Sequence, residues 1–252
     1  MTIDEARALF PLLRRVAYLN AGTFGPLAET TLDAMRREQR RDLEEGRHGR
    51  AWFDRALALR AHLRGRVGDL VGAGPDTVAL TGSTTDGCNI VLAGLDLAPG
   101  DEIVTTTHEH PGLLLPLAVS PATVVPVEPD PDRILAAVTP RTRLVAVSHV
   151  LWTTGRTLPV HELRRASGVP ILVDGAQSVG AIDVRAAGLD FLTVSGQKWL
   201  CGPDSTGALV VADPERLRVA RPSFLSQSSY EVDGSFVATA GAALFEPGWI
   251  SV

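Results

Sequence analysis

Hydrophobic residues along this chain occur in short runs that alternate with amphipathic segments. Seven runs have the length and the β-branched content of buried strands. They lie at residues 77–80, 102–105, 123–127, 143–147, 170–173, 191–194 and 207–211. Helical periodicity covers most of residues 28–71 and predicts shorter helices at 86–95, 132–138, 159–167 and 214–219, whereas 223–252 follows no regular pattern. Strands that alternate with helices predict an α/β domain with a mainly parallel sheet.

Composition narrows the class of protein. The chain has 252 residues, of which 45% are hydrophobic and 21% charged, and this length is enough for one large domain with a full core. A net charge of −5 without a basic block argues against nucleic acid as a partner. No apolar run has the length of a membrane span, and Met1–Phe10 does not resemble a signal peptide. With only Cys88 and Cys201, we expect a cytoplasmic protein with free thiols and no metal site.

Lys198 is the only lysine in the chain, and all other lysine or arginine positions are arginine. Arginine can replace lysine wherever a solvated positive charge is sufficient, but its guanidinium group stays protonated in proteins. A lysine amine can lose its proton and attack a carbonyl carbon. Lys198 can be present by chance in an arginine-rich chain, or it can be present because this chemistry requires it. The residues around it in the sequence distinguish these two interpretations.

Polar clusters follow five of the predicted strands. They lie at residues 81–87, 108–110, 148–149, 174–177 and 195–198. In open α/β sheets, ligands bind at the carboxyl ends of the strands. The five clusters therefore predict one site at one edge of the sheet, and Lys198 belongs to it.

Several of these residues also have a purely structural interpretation. The loop at 81–87 precedes a helix, where free N–H groups attract an anion, although Ser83 or Thr84 can simply cap that helix. Asp174 ends an apolar strand and needs a cationic partner, unless it caps a turn. His110 can be a satisfied core histidine. The loop matches neither a P-loop nor Gly-x-Gly-x-x-Gly, which disfavours a nucleotide-binding protein.

Two segments of the chain, Val173–Gly180 (VDGAQSVG) and Ser195–Pro203 (SGQKWLCGP), carry Asp-x-x-Gln and Ser-x-x-Lys directly after predicted strands. Both segments resemble the class V aminotransferase family of pyridoxal 5'-phosphate (PLP) enzymes. The resemblance extends from about Tyr18 to Trp249. The family includes cysteine desulfurases, isopenicillin-N epimerase and C–S lyases. It implies the large domain of the PLP-dependent transferase fold type I, an α/β fold. In that fold a mostly parallel mixed sheet has helices on both faces.

The resemblance also implies a role for individual residues. Lys198 would form the internal aldimine with PLP and later move the α-proton of the substrate. Asp174 would pair with the pyridinium nitrogen, Gln177 would hydrogen-bond the phenolic oxygen and His110 would stack on the ring. The residues that would hold the phosphate are Thr84, Thr85, Ser195 and Gln197, the last standing where the family usually has histidine.

For the whole molecule, the resemblance implies an N-terminal arm at residues 1–22 and a PLP-binding large domain at 23–252. The small C-terminal domain of the family is then truncated or absent. The expected function is that of a PLP-dependent enzyme, a homodimer, which acts on an amino-acid substrate by transaminase or C–S lyase chemistry. The alternative is a truncated or degenerate PLP-fold protein that binds the cofactor or a partner without turnover.

Overall fold

The computed structural model describes residues 2–249, in which helices and strands alternate as the hydropathy pattern predicts. The helices are α1 (Ile3–Ala8), α2 (Glu29–Glu45), α3 (Gly49–Val71), α4 (Thr84–Gly94), α5 (Pro111–Ala118), α6 (Pro131–Ala136) and α7 (Val160–Ser167). The strands are β1 (Val78–Thr81), β2 (Glu102–Thr106), β3 (Thr123–Val127), β4 (Thr142–Ser148), β5 (Ile171–Asp174), β6 (Phe191–Ser195), β7 (Gly207–Val211), β8 (Gln227–Tyr230) and β9 (Phe236–Ala238). Short 3₁₀ turns lie at Pro11–Arg14, Pro75–Thr77, Pro214–Arg216, Phe224–Ser226 and Ala242–Phe245.

One mixed sheet has the strand order β1-β7-β6-β5-β4-β2-β3. Strand β7 is antiparallel to both of its neighbours, and all other adjacent pairs are parallel. Two successive antiparallel pairings restore the original direction, so β1 runs the same way as β6. The carboxyl ends of β1, β2, β4, β5 and β6 therefore lie at one edge of the sheet, as predicted. Strands β8 and β9 form a separate antiparallel hairpin.

The hydrophobic core lies on both faces of this sheet because successive side chains of a strand point in opposite directions. On one face, Val145, Val147 and Val173 belong to the apolar cluster that includes α3, α6 and α7. On the other face, Leu144 and Ala146 belong to the cluster that includes α4 and α5. The predicted architecture, a mostly parallel sheet with helices on both faces, is confirmed.

The hydropathy pattern places all seven sheet strands within one or two residues of their bounds. The helical stretch at 28–71 is two helices, because α2 ends at Gly46, whose φ of 78° is outside the helical range. The pattern does not predict α5, which is almost entirely apolar and has no amphipathic stripe. The helix prediction for 214–219 is wrong, since only a 3₁₀ turn forms there. Likewise, the irregular stretch after residue 223 contains the β8–β9 hairpin.

The end of the N-terminal segment packs against the loops that follow β5 and β6. The backbone carbonyl of Gly22 accepts a hydrogen bond from Gln177 Nε2 at 2.8 Å, and the Gly25 N–H donates to the Gln197 carbonyl at 2.7 Å. A side chain at position 25 would come within 2.1 Å of the Lys198 carbonyl oxygen, so this close approach requires glycine. Within residues 2–249, no helix combines the length and the apolarity of a bilayer span. The two cysteines are free thiols, as expected.

Candidate active site

Lys198 lies in the loop after β6, at the edge of the sheet where the polar clusters meet. Its side chain is partly buried, and within residues 2–249 its amine has neither a hydrogen bond nor an ion pair. Burial lowers the pKa of this amine, and the negative charge of Asp174 opposes that effect. A buried amine without a partner is neutral over a wider pH range than a surface lysine, which is what a nucleophile requires.

Asp174 is the last residue of β5 and is only 3% exposed. Its Oδ1 accepts hydrogen bonds from the Ala176 N–H at 2.9 Å and from Thr193 Oγ1 at 3.4 Å. Within the described part of the chain, no group donates to its Oδ2. Burial raises the pKa of the carboxyl, whereas the bond from Ala176 and the charge of Lys198 lower it. Turn capping therefore accounts for one oxygen of this carboxylate, and the other has no hydrogen-bond partner within residues 2–249.

His110 is the N-terminal cap of α5, and its Nδ1 accepts a hydrogen bond from the Gly112 N–H at 3.0 Å. Because Nδ1 accepts, the neutral ring carries its hydrogen on Nε2. Burial and then the nearby charge of Lys198 lower the pKa of His110, while Asp174 raises it. The edge of the Trp152 indole meets this imidazole with ring centres 5.3 Å apart. His110 is thus a neutral, half-buried flat ring beside the lysine and the aspartate.

The loop after β1 ends at the N-terminus of α4. Ser83 caps the helix through Oγ, which accepts from the Asp86 N–H at 3.1 Å, and Asp86 Oδ2 accepts from the Gly82 N–H at 3.0 Å. The structural interpretation of this loop is therefore correct for Ser83. Thr84 and Thr85 donate no side-chain hydrogen bond to any residue in 2–249, and the first N–H groups of a helix have no acceptor within it. These donors are available to an anion.

Ser195 ends β6 and Gln197 follows it in the next loop. Strand β7 lies between β6 and β1, the strand that leads to α4. Gly207 pairs with Thr81 on one side and with Ser195 on the other. A Cβ at position 207 would lie 3.1 Å from Ser83 Cα, so the absence of a side chain lets the loops after β1 and β6 come together. Ser195 Oγ donates to Gln197 Oε1 at 2.9 Å. The two segments that carry the four residues predicted to hold a phosphate thus begin at strand ends that flank Gly207.

Gln177 is held by two partners from distant parts of the chain. Its Nε2 donates to the Gly22 carbonyl at 2.8 Å, and its Oε1 accepts from Trp199 Nε1 at 2.8 Å. An amide nitrogen carries two hydrogens, so one N–H of Gln177 remains available. No pattern in the sequence predicts either contact. The fold brings these partners together, since Gly22 is 155 positions and Trp199 is 22 positions from Gln177.

The largest cavity near this loop is not at the sheet edge. It has a volume of about 590 Å³ and lies behind the loop that carries Lys198, between α2 and α3. Its lining includes Met35, Leu63 and Leu200, and none of the eight predicted site residues is part of it. We assign the candidate site to the strand ends, where a nucleophile, a buried carboxylate and free N–H donors coincide, rather than to this apolar cavity.

Comparison with known proteins agrees with this geometry. The sequence profile of the aminotransferase class-V family matches residues 18–233. A probable cysteine desulfurase of Methanothermobacter thermautotrophicus is 33% identical over 83% of this chain and 56% of its own length. The isopenicillin N epimerase of Streptomyces clavuligerus is 31% identical over 92% of this chain and 62% of its own. The chain thus spans roughly three fifths of these curated relatives.

Solved structures show the same fold. The cystine C–S lyase C-DES, in complex with its reaction product cysteine persulfide, has a TM-score of 0.87 and 30% identity over 96% of this chain and 69% of its own. The cysteine desulfurase CsdA of Escherichia coli has a TM-score of 0.80 and 26% identity over 96% of this chain and 66% of its own. On the profile match and this structural likeness, the chain belongs to the class-V aminotransferase family.

Proposed function

We propose that this protein is a PLP-dependent enzyme that acts on an amino-acid substrate by transaminase or C–S lyase chemistry. The observation that carries the proposal is the combination of the unbonded Lys198 amine with the buried Asp174 carboxylate. Family membership supports it. A structural relative with 29% identity, a lysine-to-alanine variant of C-DES, holds glycine covalently linked to the PLP cofactor.

The residues at the sheet edge fit PLP. A buried carboxylate oxygen without a donor is costly, and the protonated pyridine nitrogen of PLP supplies both a donor and a positive charge. Asp174 is 3% exposed as a whole, and its Oδ2 accepts no hydrogen bond from residues 2–249. The free N–H groups at the start of α4 suit the phosphate, since a helix N-terminus favours an anion.

PLP, when bound, withdraws electrons from the α-carbon of an attached amino acid. Lys198 would hold the cofactor through Nζ and, after the substrate amine displaces it, would take up and return the α-proton. Its lowered pKa makes the neutral amine accessible for both tasks. Asp174 would keep the ring nitrogen protonated, and the neutral ring of His110 would cover one face of the cofactor.

The other candidate residues would orient the cofactor. Gln177 would donate its remaining N–H to the phenolic oxygen, while Gly22 and Trp199 hold its amide in place. The phosphate would be held by Thr84, Thr85, Ser195 and Gln197. Fixed donors of this kind exclude water and orient the reacting atoms, which accounts for a large part of enzymatic rate acceleration.

We extend the proposal to the organisation of the molecule. Residues 23–252 would form the cofactor-binding domain, and residues 1–22 would be an arm that closes against Gln177 through Gly22. The active form would be a homodimer, as the family resemblance implies.

A second candidate function is cofactor binding without turnover. The same two residues, Lys198 and Asp174, support it, since cofactor binding alone requires no substrate site. A panel of amino acids offered to the PLP-loaded protein separates the two functions. Formation of an oxo acid, or release of sulfide or persulfide sulfur, supports the enzyme, whereas binding without any product supports the second candidate.

The first experiment is cofactor binding to the single lysine. Purified protein mixed with PLP should develop an absorbance band at about 410–430 nm, as expected of a lysine-linked PLP. Borohydride reduction followed by peptide mass spectrometry should locate the label at Lys198. The matched variant Lys198→Arg keeps the positive charge and should show no band. A missing band in the wild-type protein, or one that survives in Lys198→Arg, would contradict the proposal.

A further inference from the structure

A second buried carboxylate lies beside the proposed cofactor site, and the mechanism above does not use it. Glu109 is 6% exposed and directly precedes His110 in the turn between β2 and α5. A carboxylate is rarely buried to this extent without specific partners. Its contacts therefore indicate what it does.

Three donors converge on Glu109. Its Oε1 accepts from Thr106 Oγ1 at 2.6 Å, and its Oε2 accepts from both the N–H and the Oγ of Ser148, at 3.0 and 2.5 Å. Thr106 ends β2 and Ser148 ends β4, which are neighbours in the sheet. The carboxylate thus ties two strand ends together at the point where the chain turns into His110.

All three partners donate to Glu109, and this pattern fits the ionised carboxylate. A carboxylate only accepts, so it satisfies every one of these groups, whereas a protonated carboxyl would require one hydroxyl to reverse. Burial raises the pKa of Glu109, and its hydrogen bonds to Ser148 and Thr106 oppose the rise. Bonds to the charged form are the reason that a buried acid stays ionised.

Glu109 is also electrostatically coupled to Asp174. Ser148, which donates twice to Glu109, is the residue paired with Asp174 across β4 and β5. The charge of Asp174 raises the pKa of Glu109, and both carboxylates raise that of the buried Cys88 thiol after the larger effect of its burial. Glu109 thus interacts with the charge of Asp174, and Asp174 in turn interacts with the charges of Lys198 and His110.

We propose that Glu109 is a positioning residue of the cofactor site, where its carboxylate fixes the turn that carries His110 and places a second negative charge near Asp174. The inference rests on the proposed function, because the protonated ring of PLP is the cation that this charge stabilises. Two carboxylates then face one bound cation, and cationic forms of the groups in the site are favoured.

The variant Glu109→Gln removes the negative charge of this side chain and keeps its shape. The Thr106 hydroxyl can turn and accept from the new amide, so the hydrogen bonds are kept while the charge is lost. We expect the pH midpoint of the lysine-linked PLP absorbance to fall by about half a pH unit, because the loss of one screened negative charge disfavours the protonated form. PLP should also dissociate about two- to fivefold more readily.

The matched control is Glu102→Gln, at the start of β2, the strand that leads towards Glu109. Glu102 is also bonded to two side chains, Thr139 and Arg141, but it is remote from the site. This variant should keep the wild-type pH midpoint and PLP dissociation constant, whatever it does to thermal stability. If both glutamine variants change the midpoint equally, the effect is one of general stability and the inference is overturned.

Failure of the inference differs from failure of the proposed function. If the wild-type protein forms no lysine-dependent band, the proposed function fails. If the wild type forms the band and Glu109→Gln titrates and binds PLP as the wild type does, only the role of Glu109 is overturned. Should Glu109→Gln not fold, Thr106→Val removes one donor and leaves the charge. It should weaken PLP binding at an unchanged midpoint, and wild-type binding would overturn the inference.

Discussion

The carboxylate of Glu246 accepts a hydrogen bond from the backbone N–H of Leu80 at 3.1 Å, across 166 positions of sequence. Leu80 belongs to β1, which pairs with β7 alone, so the carboxylate satisfies a donor at the outer edge of the sheet. Glu246 is 1% exposed and also binds Arg60 and, at 2.9 Å, Arg64. The segment that contains Glu246 is thereby hydrogen-bonded to β1, the strand that leads into the loop at 81–87.

Replacing Glu246 should destabilise the protein strongly. Glu246→Ala leaves the buried Arg60 and the partly buried Arg64 without their counter-charge, which costs about 3–5 kcal/mol in the free energy of unfolding. Urea denaturation of the cofactor-free protein measures the loss. The matched control is Asp54→Ala on α3, because the exposed pair of Asp54 with Arg50 contributes less than about 1 kcal/mol. Equal losses in the two variants would contradict this account.

Asp174→Asn should raise the thermal stability of the cofactor-free protein and lower that of the PLP-loaded protein. Burial raises the pKa of Asp174 above its unfolded value of about 3.9, so the folded state binds more protons and stability falls as pH rises through that interval. At neutral pH the uncharged amide costs less to bury, and we expect a gain of about 1 kcal/mol that disappears in acid. Thermal unfolding with and without PLP checks the reversal.

The control for Asp174→Asn is the exposed Asp183→Asn, which should change neither measurement. If the cofactor-free Asp174→Asn protein is less stable than the wild type at neutral pH, the aspartate is a structural residue satisfied by Ala176 and Thr193, and its proposed role with the pyridine nitrogen loses its physical basis.

The reactivity of Lys198 should report its environment directly. Because burial lowers its pKa, its acylation rate in the cofactor-free protein should reach half its maximum at a pH below the ordinary lysine value of about 10.4. In Asp174→Asn the midpoint should fall further, since the carboxylate that raises this pKa is gone. Mass spectrometry separates the Lys198 peptide from the N-terminal amine, which is the internal reference. A midpoint that rises in Asp174→Asn would contradict the coupling.

Gly207→Ala should reduce PLP affinity. The added Cβ would lie 2.7 Å from the Val194 carbonyl and 3.1 Å from Ser83 Cα, so the loops after β1 and β6 must separate where the phosphate is proposed to bind. We expect the dissociation constant of PLP to rise at least about tenfold, which is the effect of losing one good hydrogen bond. The control is Gly65→Ala within α3, where a Cβ meets nothing within 4 Å. It should stabilise the protein by about 0.5–1 kcal/mol and leave PLP binding unchanged.

Local patterns were sufficient for the sheet. All of its strands except β3, which lies at the edge, are short and almost entirely buried, and burial inside the sheet leaves such a run little choice of conformation. Local patterns failed where amphipathicity is absent, as in α5, and where both strands of a pair are largely exposed, as in the β8–β9 hairpin. Polar clusters directly after buried strands are visible in one dimension, and the family resemblance then named the eight candidate site residues within them.

What joins those residues could not be read from the chain. The lone Lys198 and the strand-end Asp174 mark the chemistry, but the free Oδ2 of Asp174 and the anchoring of Gln177 by Gly22 and Trp199 depend on folding. The same holds for Glu109, whose donors lie on two different strands. The physical reason is that a hydropathy pattern is a property of neighbouring residues in the sequence. The burial of a charge and the geometry of a hydrogen bond depend instead on groups that only the tertiary fold brings together.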